Sequence, residues 1–357
     1  MSENAGSIPV LRPDLRISPF HENGSHESRD LVRMGGQHFV VSSELGALLR
    51  AILSGMTSTS DIRKHLSEEF ARDVSIDDIT AALDAVRTTF SLEATTEDVS
   101  AKSRNIFWVR CRVLNPTIAN WLAGRCSTLF RLPFAIPIFL LEVTAAIVLV
   151  FRHGTNIQSV SPLFSGACIL ALLVASVLWH EIGHASACRF FGEKPGEIGF
   201  GMYLCFPAFF ADVSSAWSLP SHRRFIVDIA GVYFQGMFFI PLAVWSIALS
   251  GAIAPYAAWI MGLMMLQTAN PVFKMDGYWA LSDLSGLTNL HRRVLAEIKA
   301  LLRISDGPRS VPSLNGVQRI ILPAYVALAS AYFFFIVHGL SVMLAIGWSY
   351  ASHVRPL

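Results

Sequence analysis

The sequence predicts an α-helical polytopic membrane protein, with about five spans and a small N-terminal cytoplasmic α/β domain. Hydrophobic residues make up 53% of the chain and charged residues 15%, whereas soluble domains usually carry about a quarter charged residues. Residues 1–104 are polar and mixed in charge, and most of 132–350 is apolar. Long apolar runs separated by short basic segments indicate repeated membrane crossings.

The pattern divides the chain into parts of different character. We expect a flexible lead-in at 1–30, a small α/β domain at 31–95, a basic interfacial linker at 96–131, and the membrane domain at 132–350. In the second part, one apolar strand precedes stretches with helical spacing of apolar residues. The linker is rich in arginine and aromatic residues and is predicted to lie along the membrane surface; an ordinary connecting segment is the alternative.

Apolar segments with the length and polarity of spans occupy 132–151, 162–189, 225–249, 253–270 and 320–348. Lysine and arginine are concentrated in 102–131, 189–224 and 274–319, which all fall on one side of these segments. Basic residues favour cytoplasmic loops, so the N-terminal domain is predicted to lie in the cytoplasm and the C-terminus outside.

The segment 195–217 is apolar but interrupted by glycine and proline, and it is too short to cross the membrane and return as helices. We predict a re-entrant hairpin shielded by protein, because irregular backbone at membrane depth is not tolerated against lipid. The hairpin would pair with a substrate as an added strand, and its Gly196, Gly199 and Gly201 would permit close backbone approach.

Two histidines and a glutamate lie near the end of the second apolar segment. Glu181 is the only formally charged residue from His153 to Cys188, and the cost of a carboxylate inside a membrane indicates a partner or a function. His180 and His184, one turn apart, share a helix face and can bind one Zn²⁺. Glu181 is then placed to act as a general base. The alternative is a pair of histidines that serve helix packing.

Catalytic zinc needs a third protein ligand and an open position for water. After the fourth apolar segment the chain contains Asn270-Pro271 and then Asp276-Gly277. The proline ends a helix, and the Asp-Gly pair can turn the chain back toward the membrane. These features predict Asp276 as the third ligand, against the alternative of an ordinary surface turn.

The sequence HEIGH at 180–184, together with Asn-Pro-x-x-x-x-Asp-Gly at 270–277, resembles the site-2 protease family of intramembrane zinc metallopeptidases. The resemblance covers about 105–350. The stretch KMDGYWALSDLSGLTNL is similar to a branch of peptide zinc metalloproteases often found beside bacterial peptide-natural-product genes. The stretch AGVYFQG at 230–236 departs from the Gly-Pro-x-x-Asn-like sequence of many members, which leaves Gln235 without an assigned role.

The resemblance implies one zinc per chain on His180, His184 and Asp276. It also implies Glu181 as the general base and Asn270 as a residue that orients substrate or supports the oxyanion. The implied protein is a multi-pass endopeptidase of the bacterial cytoplasmic membrane. Its substrate would be a peptide or membrane-associated precursor, with leader removal from a ribosomally made peptide as the main expectation.

Residues 31–95 resemble the small winged-helix domains that bind leader peptides in ribosomal peptide modification. A structural or dimerising cap is the alternative. Of the remaining acidic residues, we expect Glu142 to serve bundle packing, Asp228 to cap a helix and Asp212 to belong to the turn of the hairpin.

Other functions remain open at this point. A regulator that cleaves a membrane-anchored signalling protein would use the same residues. A zinc transporter or sensor would need ionisable residues along a whole path, whereas here they cluster at one depth. A non-catalytic scaffold that binds zinc or peptide would be expected to lack Glu181 or a ligand. The net charge of +2, with basic residues in short clusters, predicts a lipid bilayer and no nucleic acid as partner. The resemblance implies a precursor as the other partner, and the oligomeric state is undetermined.

Overall fold

The structure is a computed structural model that describes residues 8–20, 29–34, 37–91, 107–153, 162–203, 206–248, 253–286, 290–301, 316 and 318–353. Residues 1–7 and 21–28 of the expected lead-in and 96–106 of the expected linker lie outside the described residues. The strands are β1 (Arg16–Phe20), β2 (Arg29–Met34), β3 (Gln37–Ser42), β4 (Phe107–Leu114), β5 (Ile198–Tyr203) and β6 (Phe206–Ala211). The helices are α1 (Ser43–Leu53), α2 (Thr59–Glu69), α3 (Ile76–Phe90), α4 (Pro116–Cys126), α5 (Leu132–His153), α6 (Pro162–Phe190), α7 (Ser221–Ala248), α8 (Ile253–Thr268), α9 (Asp276–Ser285), α10 (Leu290–Leu301) and α11 (Gln318–His353).

The N-terminal unit is an antiparallel sheet in the order β1-β2-β3 that packs against α1, α2 and α3. Ser42 begins α1 by accepting a hydrogen bond from the Leu45 N–H, and Ser75 begins α3 by accepting one from Asp77. A serine oxygen at this position satisfies an amide of the first turn that has no partner in the helix. The apolar faces of sheet and helices meet in one core. Its members include Val32, Leu48, Ile62, Ile79 and Val86.

This unit begins earlier than the sequence predicts. β1 lies within the expected flexible lead-in at 1–30, and Leu11 and Leu15 are buried in the core of the unit. The expectation of a flexible lead-in is therefore corrected for residues 8–20. A five-residue strand that contains arginine and proline shows no alternation of apolar and polar residues, and its proline is tolerated because β1 is an edge strand.

The described part of the expected interfacial linker is likewise folded into the protein. β4 pairs antiparallel with β5, so the linker contributes an outer strand to the sheet β4-β5-β6. Arg110 and Arg112 form ion pairs with Glu197, 2.8 and 2.5 Å long. The hydrogen bond from Arg112 outweighs the effect of burial and, with the charge of Arg110, holds the pKa of Glu197 below its usual value. Two of the basic residues expected on the membrane surface thus bind protein.

The hairpin expected at 195–217 is present as β5 and β6, which pair antiparallel. β5 is the central strand, between β4 and β6, and therefore has no free edge. A Cβ at Gly199 would lie 2.4 Å from the Phe210 ring and 2.9 Å from the Cys111 oxygen. Gly199 thus serves packing within the sheet, and because β5 has a strand on each side, the expectation that Gly199 and Gly201 let a substrate approach is corrected. The outer strand β6 packs against α6.

Among the described residues, four helices are long and apolar enough to cross a membrane: α5, α6, α7 and the first part of α11. α8 matches the fourth predicted span but has 16 residues, short of the usual length of about 20. Many large side chains of α5 and α11 are exposed, as Phe139 and Phe334 show, and such surfaces are typical of contact with lipid. The architecture is that of a polytopic helical membrane protein, and the fifth span stays a prediction.

Candidate metal centre

Three polar side chains from two distant parts of the chain meet inside the helical domain. His180 and His184 lie one turn apart on α6, and Asp276 is the first residue of α9. The Oδ2 atom of Asp276 lies 3.0 Å from Nε2 of His180 and 3.2 Å from Nε2 of His184. The two Nε2 atoms are 3.1 Å apart, and both histidines are buried. The fold therefore brings together the three residues whose ligand role the sequence predicts.

The donor set and its spacing fit a zinc ion. Neighbouring ligand atoms of tetrahedral zinc lie about 3.3 Å apart when each is about 2.0 Å from the ion, close to the spacing here. The Nδ1 atom of His184 lies 2.7 Å from the Val227 oxygen. Because a carbonyl only accepts, Nδ1 carries the proton, and Nε2 of the neutral ring presents its lone pair to the cluster. Lone pairs and a carboxylate oxygen at this distance repel each other unless a proton or a metal ion lies between them.

A glycine on α7 makes room for the two imidazoles. A Cβ at Gly231 would lie 2.4 Å from Nε2 of both His180 and His184. On α6, between the two histidines, a Cβ at Gly183 would lie 2.5 Å from the Ala230 oxygen. Small residues at both points let the helices approach closely. Sequence analysis did not identify Gly231, although it lies in the AGVYFQG stretch, because the need for space depends on the facing helix.

Glu181 lies beside the cluster without joining it. Its side chain is buried, and its carboxylate interacts electrostatically with His180, His184 and Asp276. Its carboxylate also interacts with the backbone N–H of Ala211, the last residue of β6. The hairpin therefore reaches the same point as the helices. A carboxylate next to a ligand set, but outside it, has the placement that a general base requires.

The turn between α8 and α9 positions Asp276. The Oδ1 atom of Asn270 accepts a hydrogen bond from the Val272 N–H at 2.9 Å, which closes an Asx turn. Gly277 lets α9 begin against the end of α8, because a Cβ there would lie 2.0 Å from the Ala269 oxygen. The structure thus gives Asn270 a local role in shaping this turn, and its predicted role toward substrate stays a prediction.

Other polar residues near the cluster make local contacts. The Nε2 atom of Gln235 donates to the Ser176 hydroxyl at 3.3 Å and so joins α7 to α6. Asp212 accepts a hydrogen bond from the Ser214 N–H. It follows β6 and pairs with Gly196 and Glu197 at the open end of the hairpin, so its predicted place in the turn of the hairpin was wrong. Asp228 was expected to cap a helix, but α7 begins at residue 221, too far away for a cap. Its Oδ2 atom is buried and has no hydrogen-bond partner among the described residues.

An apolar cavity of about 560 Å³ lies against the cluster, between α5, α7 and α9. Its volume is in the range of ligand-binding pockets. Asp276 lines the cavity, and so does Glu142 of α5, the carboxylate that was expected to serve bundle packing. The walls include Phe139, Ile229, Tyr233 and Leu281.

Comparison with known proteins gives one distant relative. No protein-family model matches the chain, and no solved structure matches it. The curated protein "Putative peptide zinc metalloprotease protein YydH" of Bacillus subtilis (strain 168) is 23% identical over 148 residues, which are 40% of this chain and 59% of that protein. The chain thus spans less than two thirds of the relative's length. Over these residues the chain is thus similar to a protein that is named as a peptide zinc metalloprotease.

Proposed function

We propose that the chain is a zinc-dependent endopeptidase that cleaves its substrate inside the membrane. The observation that carries the proposal is the convergence of His180, His184 and Asp276 beside a buried Glu181. Two histidines, a carboxylate ligand and a free carboxylate are the parts that a zinc peptidase uses. The distant similarity to a peptide zinc metalloprotease supports the same reaction class.

Each residue has a distinct task in this proposal. Zinc held by the three ligands would supply a Lewis acid that polarises the scissile carbonyl and makes water more acidic. Glu181 takes a proton from the attacking water and returns it to the leaving amine. The Ala211 N–H interacts with the Glu181 carboxylate, and the Val227 oxygen fixes the ring of His184.

The site is proposed to lie inside the bacterial cytoplasmic membrane, close to its cytoplasmic face. Arg189 lies in the last turn of α6, and His184 precedes it by about 7.5 Å along the helix axis. The basic residues in 102–131 and 189–224 support a cytoplasmic position for this end of the helices. Water and substrate would then enter from the cytoplasm, on the side of the N-terminal unit.

The outer edge of β6 is proposed to hold the substrate backbone extended. The backbone N–H and C=O of Asp212 bond toward β5. Because these groups alternate in direction along a strand, those of Phe209 and Ala211 face away from β5, and the Ala211 N–H interacts with Glu181. A peptide added as a strand at this edge would lie next to the general base.

The N-terminal unit is proposed to recognise the leader of the substrate. It contacts the membrane domain through Phe20, whose ring lies 6.1 Å from that of Trp217 and 5.1 Å from the Arg224 guanidinium. Arg224 also pairs with Asp283 of α9, with a shortest contact of 2.7 Å. The unit thus contacts α7, which carries Gly231, through Arg224, the residue that is paired with α9. A leader bound there would have a raised effective concentration near the site.

The favoured substrate is a ribosomally made precursor peptide from which the leader is removed. The resemblance of the N-terminal unit to leader-binding winged-helix domains supports this choice. A membrane-anchored signalling protein is the second candidate, because the apolar cavity beside Asp276 can accept an apolar segment from either kind of substrate.

A cleavage assay tests the proposal. Zinc-loaded full-length protein is incubated in detergent with a library of apolar peptides, and products are identified by mass spectrometry. We expect the wild type to cleave and Glu181→Gln to retain zinc while turnover falls by about 10²–10⁴, because an amide cannot accept the proton. Unchanged turnover in Glu181→Gln would contradict the mechanism, and no cleavage of any peptide by the wild type would contradict the peptidase function.

A further inference from the structure

We infer that Glu142 selects substrates that carry a lysine or arginine close to the cleaved bond. This inference rests on the proposed peptidase function and specifies one feature of its substrates. It is carried by a buried carboxylate that shares a cavity with Asp276.

Glu142 points away from lipid, into the protein. Its neighbours Leu141 and Val143 on α5 are 51% and 41% exposed, whereas Glu142 is 9% exposed. The carboxyl group occupies space that Gly236 of α7 leaves open. A Cβ at Gly236 would lie 2.4 Å from Cδ of Glu142 and 2.5 and 2.8 Å from its two oxygens. The helices are thus shaped around an acidic group at this point.

The carboxylate of Glu142 lacks a partner within the part of the chain that the structure describes. Its Oε1 atom is buried without a hydrogen bond. The Tyr233 hydroxyl, which lines the same cavity, donates to the Leu129 oxygen. The lining of the cavity, formed by described residues, includes no lysine, arginine or histidine. An unpaired carboxylate in such surroundings is costly, and a cation brought by a ligand would offset that cost.

A peptide side chain is the occupant that this cavity favours. The cavity adjoins Asp276, so a chain cut at the metal centre can place a neighbouring side chain in it. Apolar walls such as Phe139, Ile229 and Leu281 suit the methylene stem of lysine or arginine, while the charged end reaches Glu142. A cationic side chain fits both the walls and the carboxylate, whereas an acidic one would face like charge.

Helix geometry gives the distance along α7 between the histidines and the Glu142 carboxyl group. Gly231 contacts the histidines and Gly236 contacts Glu142, and these glycines are separated by roughly 7.5 Å along the axis of α7. An extended peptide covers that distance in about two residues, and a long side chain covers part of it alone. The basic residue is therefore placed within about three residues of the cleaved bond.

Substrate preference tests this inference. In the peptide library, lysine, its uncharged isostere norleucine, or glutamate is placed at each position in turn, and cleavage rates are compared for each site. We expect the wild type to prefer lysine over norleucine by about tenfold at one position near the cut, equivalent to about 1.4 kcal/mol. In Glu142→Gln this ratio should fall to about one. In Gly236→Ala, which displaces the carboxyl group without removing it, the ratio should also fall.

Binding gives a second readout that does not depend on turnover. The Kd of lysine and norleucine peptides is measured on Glu181→Gln protein, with and without the added Glu142→Gln change, and the lysine peptide should bind more tightly only when Glu142 is present. A lysine-to-norleucine ratio of one in the wild type, or the same ratio in wild type and Glu142→Gln, overturns the inference while leaving the peptidase function intact. Failure of the wild type to cleave any peptide removes the peptidase function, and the inference with it.

Discussion

Space beside the two imidazoles depends on a single glycine. Because a Cβ at Gly231 would lie 2.4 Å from Nε2 of His180 and His184, Gly231→Ala should push the rings apart. We expect zinc affinity to fall at least about tenfold, the lower end of the effect of disturbing the surroundings of a metal ligand. Zinc titration of the purified variant measures this.

Gly262→Ala on α8 is the matched control, since the nearest heavy atom to a Cβ there is a Phe239 carbon at 4.0 Å. This variant should bind zinc as the wild type does. Equal zinc affinity in Gly231→Ala and Gly262→Ala would show that the imidazoles do not converge on an ion beside α7.

For single residues, local spacing in the sequence was enough to predict two members of the cluster and the glutamate beside it. His180, Glu181 and His184 lie within one turn of helix, so their shared position follows from sequence alone. Asp276 required a further step, since a proline and an Asp-Gly pair had to return the chain to the same place. Residues such as Gly231 could not be predicted, because their importance comes from a contact with another helix.

Among the elements, β6 contributes most directly to the proposed substrate site. Phe209→Pro removes an N–H that faces away from β5, so the β5–β6 ladder should remain while one hydrogen bond to an added peptide strand is lost. We expect kcat/KM to fall by about tenfold, the equivalent of about 1.4 kcal/mol for a hydrogen bond, with zinc content unchanged.

Phe209→Ala is the control for this prediction, because it removes the same ring and keeps the N–H. Cleavage assays on both variants separate the loss of the backbone donor from the loss of the side chain. If both variants have the same kcat/KM, the edge of β6 does not pair with the substrate.

The elements differ in how well the sequence predicts them. Long apolar helices were predicted because each carries its own signal of length and polarity. The short strands β1 and β4 were not, since their stability comes from partners elsewhere. Arg112 of β4 and its ion-pair partner Glu197 are 85 residues apart in the chain, a separation that no local pattern indicates. β6 belongs to a hairpin and was therefore predicted from its own segment.

In the whole molecule, the N-terminal unit is proposed to bring the substrate to the membrane domain. Deleting residues 1–91 should raise KM for a full-length precursor by about tenfold or more and change kcat little, because the proposed ligands all lie in the membrane domain. Effective concentrations in the millimolar range for short links account for an effect of this size. Steady-state kinetics with a precursor and with a short peptide around the cleavage site measure it.

The short peptide is the internal control, and both forms of the protein should cleave it equally well. Phe20→Ala in the full-length chain provides a milder change, since it removes the ring that lies beside Trp217 and Arg224. An unchanged KM for the precursor after deletion would favour the structural or dimerising cap over leader recognition.

Zinc content decides whether the cluster of His180, His184 and Asp276 is a metal centre. Elemental analysis of purified full-length protein should give one zinc per chain in the wild type and in Glu181→Gln, because Glu181 lies outside the ligand set. The His180→Ala, His184→Ala double variant should lose its zinc, and Asp276→Ala should bind it more weakly. Full zinc retention in the double variant, or a wild type that binds no zinc, would contradict the assignment of these residues and the proposed peptidase chemistry.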